Sequence, residues 1–394
     1  MLRLLARAQR APRFAVLAAA ALSALTVGSA QADGPVDPIK QVAATSRAKK
    51  AGKDSEPASA PAPAPTGRFV VRTTAGLGDM PVYTWPAQAV DALNHSGIPS
   101  TATRAVIVVH GIRRNAAEEL ADVQRALGKD RDNVILVAPR FSEPADLSSG
   151  DANDRVLTWR KGNWSDGEPA AGPAAISSFD VLDEMLMALS DRAQFPALRQ
   201  IVVAGFSAGG QLVQRYAAVG SVFAAVERTG VTLRWVVGDP GSLLYFDGTR
   251  PTARGGLASF RASACPGFNQ WKYGFEQAPE YAANRNVQWL AADYAQRDVV
   301  YLLGGKDTNA LHPALDKSCE GEAQGVHRYA RLRNYIGYMK AREPQRLAHR
   351  WGVAPDAGHS AGLVYNSACG KAALFDAPGC TLNAASGALP PMIP

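Results

Sequence analysis

Four cysteines in 394 residues, Cys265, Cys319, Cys369 and Cys380, have spacings that fit no zinc-binding motif, and no HExxH pattern occurs. The sequence therefore offers no metal site. Long apolar runs are also missing. Phe14 to Val27 is apolar but short for a membrane span, and Ser23, Thr26, Gly28 and Ser29 interrupt the region. No cysteine follows that run, so nothing marks a lipid anchor. A phosphate-binding loop is excluded by residue type. Gly205 and Gly210 have its separation, but Gln211 and Leu212 stand where a lysine and a Mg²⁺-binding hydroxyl would be required. No internal repeat is evident.

A surplus of positive charge is present only on paper. The formal net charge is +7, but Arg3, Arg7, Arg10 and Arg13 lie in residues 1–32, which contain no acid, so the remainder carries +3. This is too little for a nucleic-acid surface, and none is expected. Those arginines, the apolar run and the small-residue site Ala30-Gln31-Ala32 read together as an export signal. The mature chain is expected to begin near Asp33 and to be periplasmic or secreted, without stable membrane insertion. An even cysteine count in an exported chain points to disulfides. Three pairings are possible, and Cys265 with Cys319 and Cys369 with Cys380 is the one favoured.

Residues 33–66 have almost no large apolar side chains and end in SAPAPAP, the composition of a disordered Pro/Ala-rich linker. Residues 67–394 are long enough for one large domain with a substantial core. Within it, 69–73 and 80–85 read as an opening strand pair. Ala105 to His110, Val134 to Ala138, Ile201 to Ala204, Leu233 to Val237 and Val299 to Leu303 read as buried strands. Helical periodicity separates them. Leu120, Val123 and Leu127 share one face between Asn115 and Gly128, Phe179 to Leu189 follow a Ser177-x-x-Asp180 capping box, and Tyr329 to Met339 form a third helix. Such alternation implies an α/β fold, a mostly parallel doubly wound sheet.

Two segments break the alternation. Residues 140–176 are polar and loop-like. Residues 240–298 hold ten of the chain's thirty aromatics, among them Trp271 and Tyr273, and are expected to form a cap-like insertion that binds substrate. The alternative is a small satellite core with no ligand role.

The run QIVVAGFSAGG at 200–210 carries the chemistry. An apolar β-branched stretch stops at Gly205-Phe206-Ser207-Ala208-Gly209, and helix-compatible residues follow, with Leu212, Val213, Tyr216 and Ala217 on one face. A serine at such a strand-to-helix turn projects its hydroxyl clear of the sheet, where it can reach a carbonyl while a histidine takes its proton. A glycine-rich packing turn is the plain alternative.

VVHGI at 108–112, GFSAG at 205–209, LLGGKD at 302–307 and DAGHS at 356–360 appear in the order of the α/β-hydrolase superfamily, and essentially all of 67–394 resembles it. The resemblance implies a serine nucleophile at Ser207, a base at His359 and an acid at Asp307, with His312 the competing base. Asp239, in VVGDPG after an earlier strand, is the competing acid. It further implies an oxyanion hole from the backbone N–H groups of Ala208 and Ile112, with His110 shaping that turn. The expected activity is a serine esterase working through an acyl-enzyme, with no cofactor. Its substrate is a small or polymeric ester, apolar, aromatic or polyester-like. A peptidase or lipase, and a non-catalytic periplasmic binding protein, are the alternatives.

Overall fold

The computed structural model describes residues 63–129, 132–147, 155–253 and 255–393. The expected export signal and all but the last four residues of the linker lie outside the described residues. Strands β1 (Gly67–Thr73) and β2 (Gly76–Trp85) form an antiparallel pair. Beyond it run β3 (Arg104–Val109), β4 (Val134–Pro139), β5 (Gln200–Phe206) and β6 (Thr232–Gly238). A separate hairpin, β7 (Thr249–Pro251) with β8 (Leu257–Ser259), precedes β9 (Asp298–Gly304), β10 (Arg350–Ala354) and β11 (Asn383–Ala384).

The main sheet has the order β1-β2-β4-β3-β5-β6-β9-β10-β11, and all five pairings from β4 to β10 are parallel. Alternate residues of one strand enter different cores. Ile201 and Val203 of β5 join one apolar cluster, while Val202, Ala204 and Phe206 join the other. Both faces must therefore be covered, which explains why these strands read as unbroken apolar runs. The larger core takes residues from α1 (Ala89–Leu93), α3 (Ser178–Ser190), α4 (Ala208–Val219), α5 (Phe223–Arg228), α6 (Val287–Gln296) and α8 (Arg328–Arg342). The smaller takes them from α2 (Ala116–Leu127), α9 (Ala361–Asn366) and α10 (Ala368–Phe375). A short α7 (Cys319–Glu322) lies between β9 and α8.

Local signals act where the sequence places them. Ser177 and Asp180 form the reciprocal capping box of α3, and Gly128 closes α2 with a positive φ of 70°. Strands β10 and β11 of the main sheet are not foreseen as strands, because five residues with Gly352 at their centre and a two-residue edge strand give a weak periodic signal. Cys265 is bonded to Cys319 and Cys369 to Cys380, with Cα atoms 5.8 and 4.9 Å apart. The first bond ties the β6–β9 excursion to the loop after β9, and the second ties α10 to the C-terminal stretch.

The aromatic segment 240–298 packs differently from an independent cap. Tyr245, Phe246 and Tyr294 belong to the larger core, and Trp271, Phe275 and Tyr281 pack against it. Tyr245 lies edge-on to Tyr335 of α8, and Trp271 edge-on to Phe179 of α3. These rings are continuous with the main core because α3, α4 and α8 present apolar faces on that side of the sheet.

Candidate active site

Parallel strands deliver every candidate to one edge of the sheet, the carboxyl edge where open α/β sheets bind ligands. Gly111 and Ile112 follow β3, Ser207 follows β5, Asp239 follows β6, Asp307 follows β9 and His359 follows β10.

Ser207 ends β5 and caps α4 with φ 57° and ψ −117°, a conformation that L-residues rarely adopt. Two glycines permit it. A Cβ on Gly205 would meet the Gly209 carbonyl at 2.3 Å, and one on Gly209 would meet the Val109 carbonyl at 2.2 Å. The turn is thereby pressed against the end of β3, so Ser207 and the loop at Gly111 and Ile112 are neighbours.

His359 Nε2 lies 2.9 Å from Ser207 Oγ, and His359 Nδ1 lies 2.6 Å from Asp307 Oδ2. A carboxylate can only accept, so Nδ1 carries the proton and Nε2 is left to accept from the serine hydroxyl. Asp307 is buried and also faces Arg328, whose Nη1 is 3.7 Å from Asp307 Oδ1. His312 stands beside His359 with ring centroids 5.2 Å apart, and its Nδ1 accepts from the Ala314 N–H. It does not bond to Ser207. The other histidines have structural partners: His327 caps α8, His349 is buried between Tyr301 and Tyr294, and His95 meets Asp191 on the surface.

His110 fixes the orientation of the loop at Gly111 and Ile112. Its Nε2 accepts from the Phe141 N–H at 3.0 Å, so Nδ1 carries the hydrogen and donates to the Gly111 carbonyl at 2.8 Å. In a trans peptide the N–H points away from the C=O. Holding the Gly111 carbonyl inward therefore turns the Ile112 N–H outward. Ile112, Ser207 and Ala208 line the same pocket of about 330 Å³. Burial lowers the His110 imidazole to about 4, which keeps it neutral in this role. Behind the loop, the buried Glu119 carboxyl is raised to about 8 by burial, opposed by a hydrogen bond from the Gly111 N–H.

Asp239 is fully buried, and both its oxygens accept from the Gly304 N–H at 3.1 and 2.9 Å. Burial first, and the Asp307 charge second, push its carboxyl well above the usual carboxylate range.

The pocket wall is more polar than the aromatic count of the sequence suggests. Lys161, Asp166, Gln211, Lys272, Tyr273 and Asp316 line it, and among the described residues Tyr273 is the one aromatic to do so. Trp271 is not among the lining residues, and its indole N–H donates to the Asp166 carbonyl at 2.7 Å. Tyr273 donates to Asp316 Oδ2 at 2.6 Å, and Lys272 Nζ sits 3.5 Å from Asp166 Oδ2. Beneath them the buried Arg215 guanidinium donates to the Ser165 carbonyl at 2.8 Å, Ser242 Oγ at 2.9 Å and Gln211 Oε1 at 3.2 Å. Sequence reasoning named Tyr273 but missed the rest of this set, because its members come from separate loops and one helix. Among the missed residues Gln211 had a signal, one helical turn beyond Ser207.

No family model matches the chain, and no curated protein sequence matches it. Solved structures do. A poly(aspartic acid) hydrolase-1 from Sphingomonas sp. KT-1 aligns over 79% of this chain and 100% of its own, with 18% identity and a TM-score of 0.52. LpqC, a poly(3-hydroxybutyrate) depolymerase from Bordetella parapertussis, aligns over 79% of this chain and 89% of its own, with 20% identity and a TM-score of 0.53. The mostly parallel sheet, the strand-to-helix turn at Ser207 and these likenesses agree that the chain has the α/β-hydrolase fold.

Proposed function

We propose that the protein is an exported serine hydrolase that cleaves carboxylic esters through an acyl-enzyme. The observation that carries this reading is the hydrogen-bonded series Ser207, His359, Asp307, at 2.9 and 2.6 Å. Ser207 Oγ attacks the ester carbonyl while His359 Nε2 takes its proton, and Asp307 stabilises the imidazolium that forms. The tetrahedral oxyanion is met by the N–H groups of Ala208 and Ile112. His359 then gives its proton to the leaving alcohol. In the second half, His359 takes a proton from water, the hydroxide attacks the acyl-enzyme, and Ser207 recovers its hydrogen as the acid departs. No step calls for a cofactor.

The substrate expectation shifts with the pocket. Apolar aromatic walls would favour an aromatic ester, whereas Lys161, Gln211, Lys272 and Tyr273 favour a chain with repeated polar carbonyl or carboxyl groups. An oligomeric or polymeric ester supplies these. A depolymerase of a polyester and a hydrolase of a polyacid among the solved structures of this fold support that choice. Export is supported by the amino-terminal signal pattern and by the two disulfides.

The test is fluorophosphonate labelling together with hydrolysis of p-nitrophenyl acetate and of soluble oligoesters. Ser207→Ala should abolish labelling and lower turnover by about three or more orders of magnitude with the fold intact. Undiminished turnover in that variant, or a wild-type protein inert to both probes, would overturn the reading.

A further inference from the structure

We propose that Asp239 is a positioning residue of the triad and its reserve acid: Asp239 and Asp307 share one negative charge between Arg328 and His359, and either carboxyl can carry it. The proposal rests on the serine-hydrolase reading above.

Strand pairing brings the two carboxyls together. β6 and β9 run parallel with Gly238 opposite Leu302, and the Asp239 N–H donates to the Leu302 carbonyl at 3.2 Å. Asp239 therefore leaves its strand beside the turn that carries Asp307. A carboxylate oxygen of each aspartate and a ring nitrogen of His359 all lie within 4.8 Å of one another. Asp239 is held there against backbone preference, at φ 35°. Gly304 makes room for it, since a Cβ there would stand 2.6 Å from Asp239 Oδ2.

Charge balance allows one anion in this space. Asp239 is 0% and Asp307 2% exposed, so water cannot screen them from each other. One buried cation faces the pair. Arg328 is 1% exposed and donates through Nη2 to the Ala314 carbonyl at 2.7 Å. Among the described residues its Nε and Nη1 have no hydrogen-bond acceptor, and Nη1 is aimed at Asp307. The remaining titratable groups nearby are His312, His327, Tyr329 and His359. In the intact protein Asp307 holds the charge, because it alone bonds to His359, and Asp239 keeps its proton. Removing the Asp307 carboxyl removes the repulsion and leaves Arg328 without its anion. Asp239 then releases its proton to solvent, and its carboxylate is the one left within 4.8 Å of a His359 ring nitrogen.

The test compares wild type, Asp307→Ala, Asp239→Asn and the double variant. Alanine is chosen because an asparagine amide would donate to Nδ1 and trap the wrong tautomer. Two readouts are taken: kcat/KM for p-nitrophenyl acetate against pH, and the low-field proton resonance of the His359 Nδ1 hydrogen, which needs no substrate. Asp307→Ala should retain at least about tenfold more activity than the double variant, with a rise in rate with pH that the double variant lacks. Its low-field resonance should persist, and vanish in the double variant. Equal activity in Asp307→Ala and the double variant, with no such resonance in either, would overturn the reserve role. The single Asp307→Ala arm needs no change at position 239, so an Asp239 variant that fails to fold leaves the proposal refutable. Failure of the hydrolase reading is separate, since it appears as an inert wild type.

Discussion

At the residue scale, the site is a set of proton positions fixed by neighbours. His110 and His359 both carry a hydrogen on Nδ1, yet one is locked between two backbone groups and the other faces a serine and an aspartate. The first holds a loop in place, and the second has a ring nitrogen able to take a proton from a hydroxyl. Glu119 shows the same logic in a carboxyl. Its folded value is raised to about 8 by burial, and among the described residues its Oε2 has no hydrogen-bond partner. The unfolded group ionises first as pH rises, so the folded state binds more protons in that window. Stability contributed by this residue is present below about pH 4.5 and is lost as pH rises to about 8. Glu119→Gln should therefore stabilise the protein by roughly 1–3 kcal/mol at pH 8, with little gain at pH 4. Urea unfolding at the two pH values checks this, and an equal effect at both would reject it.

The triad acid belongs to the same scale. Asp307→Asn should lower kcat by about three to four orders of magnitude, because the amide turns the imidazole to the wrong tautomer. Asp239→Asn should cost far less, since it does not bond to His359. Steady-state kinetics on one ester suffices, and the reverse ranking would move the orienting role to Asp239.

At the element scale, the 240–298 excursion supports the pocket from behind and contributes Gly241, Lys272 and Tyr273 to its wall. Trp271 packs against the larger core and holds the Asp166 carbonyl, while Lys272 and Tyr273 face the pocket. Trp271→Ala should accordingly lower stability by about 2–4 kcal/mol and reduce turnover on acetate and bulky esters in parallel. Tyr273→Phe keeps the ring but loses the Asp316 bond, so its effect should fall on KM for oligoesters. A Trp271→Ala variant of unchanged Tm that loses only bulky esters would show that the indole binds substrate after all.

The whole molecule carries an acid sensitivity distributed over distant sites. His110 lies at the carboxyl edge and His349 between α6 and β9, and burial holds both down to about 4. Unfolded histidines bind protons near their ordinary value of about 6.5. Each then contributes stability that is present above that value and is lost as pH falls toward 4, by about 3 kcal/mol per residue. His349→Gln should flatten the fall in unfolding free energy between pH 6.5 and 4 without altering the site. A slope identical to wild type would show that His349 is not part of the acid response.

What could be read from the chain alone was whatever depends on neighbours in sequence. Periodicity located β3, β4, β5, β6 and β9, the capping box marked α3, and the glycines around Ser207 marked a turn that only a close backbone approach requires. The order of motifs then placed Asp307 and His359 on loops that the sheet carries to Ser207. Sequence could not choose between Asp307 and Asp239 because both follow parallel strands, and only the strand order β5-β6-β9-β10 decides which oxygen meets His359. Nor could it tell that Trp271 turns toward the core while Lys272 and Tyr273 turn toward the pocket. Side-chain direction in an irregular loop has no period to betray it. The charge shared by two buried aspartates is likewise a property of the folded interior, where water is excluded and residues 68 positions apart in the chain come within one another's field.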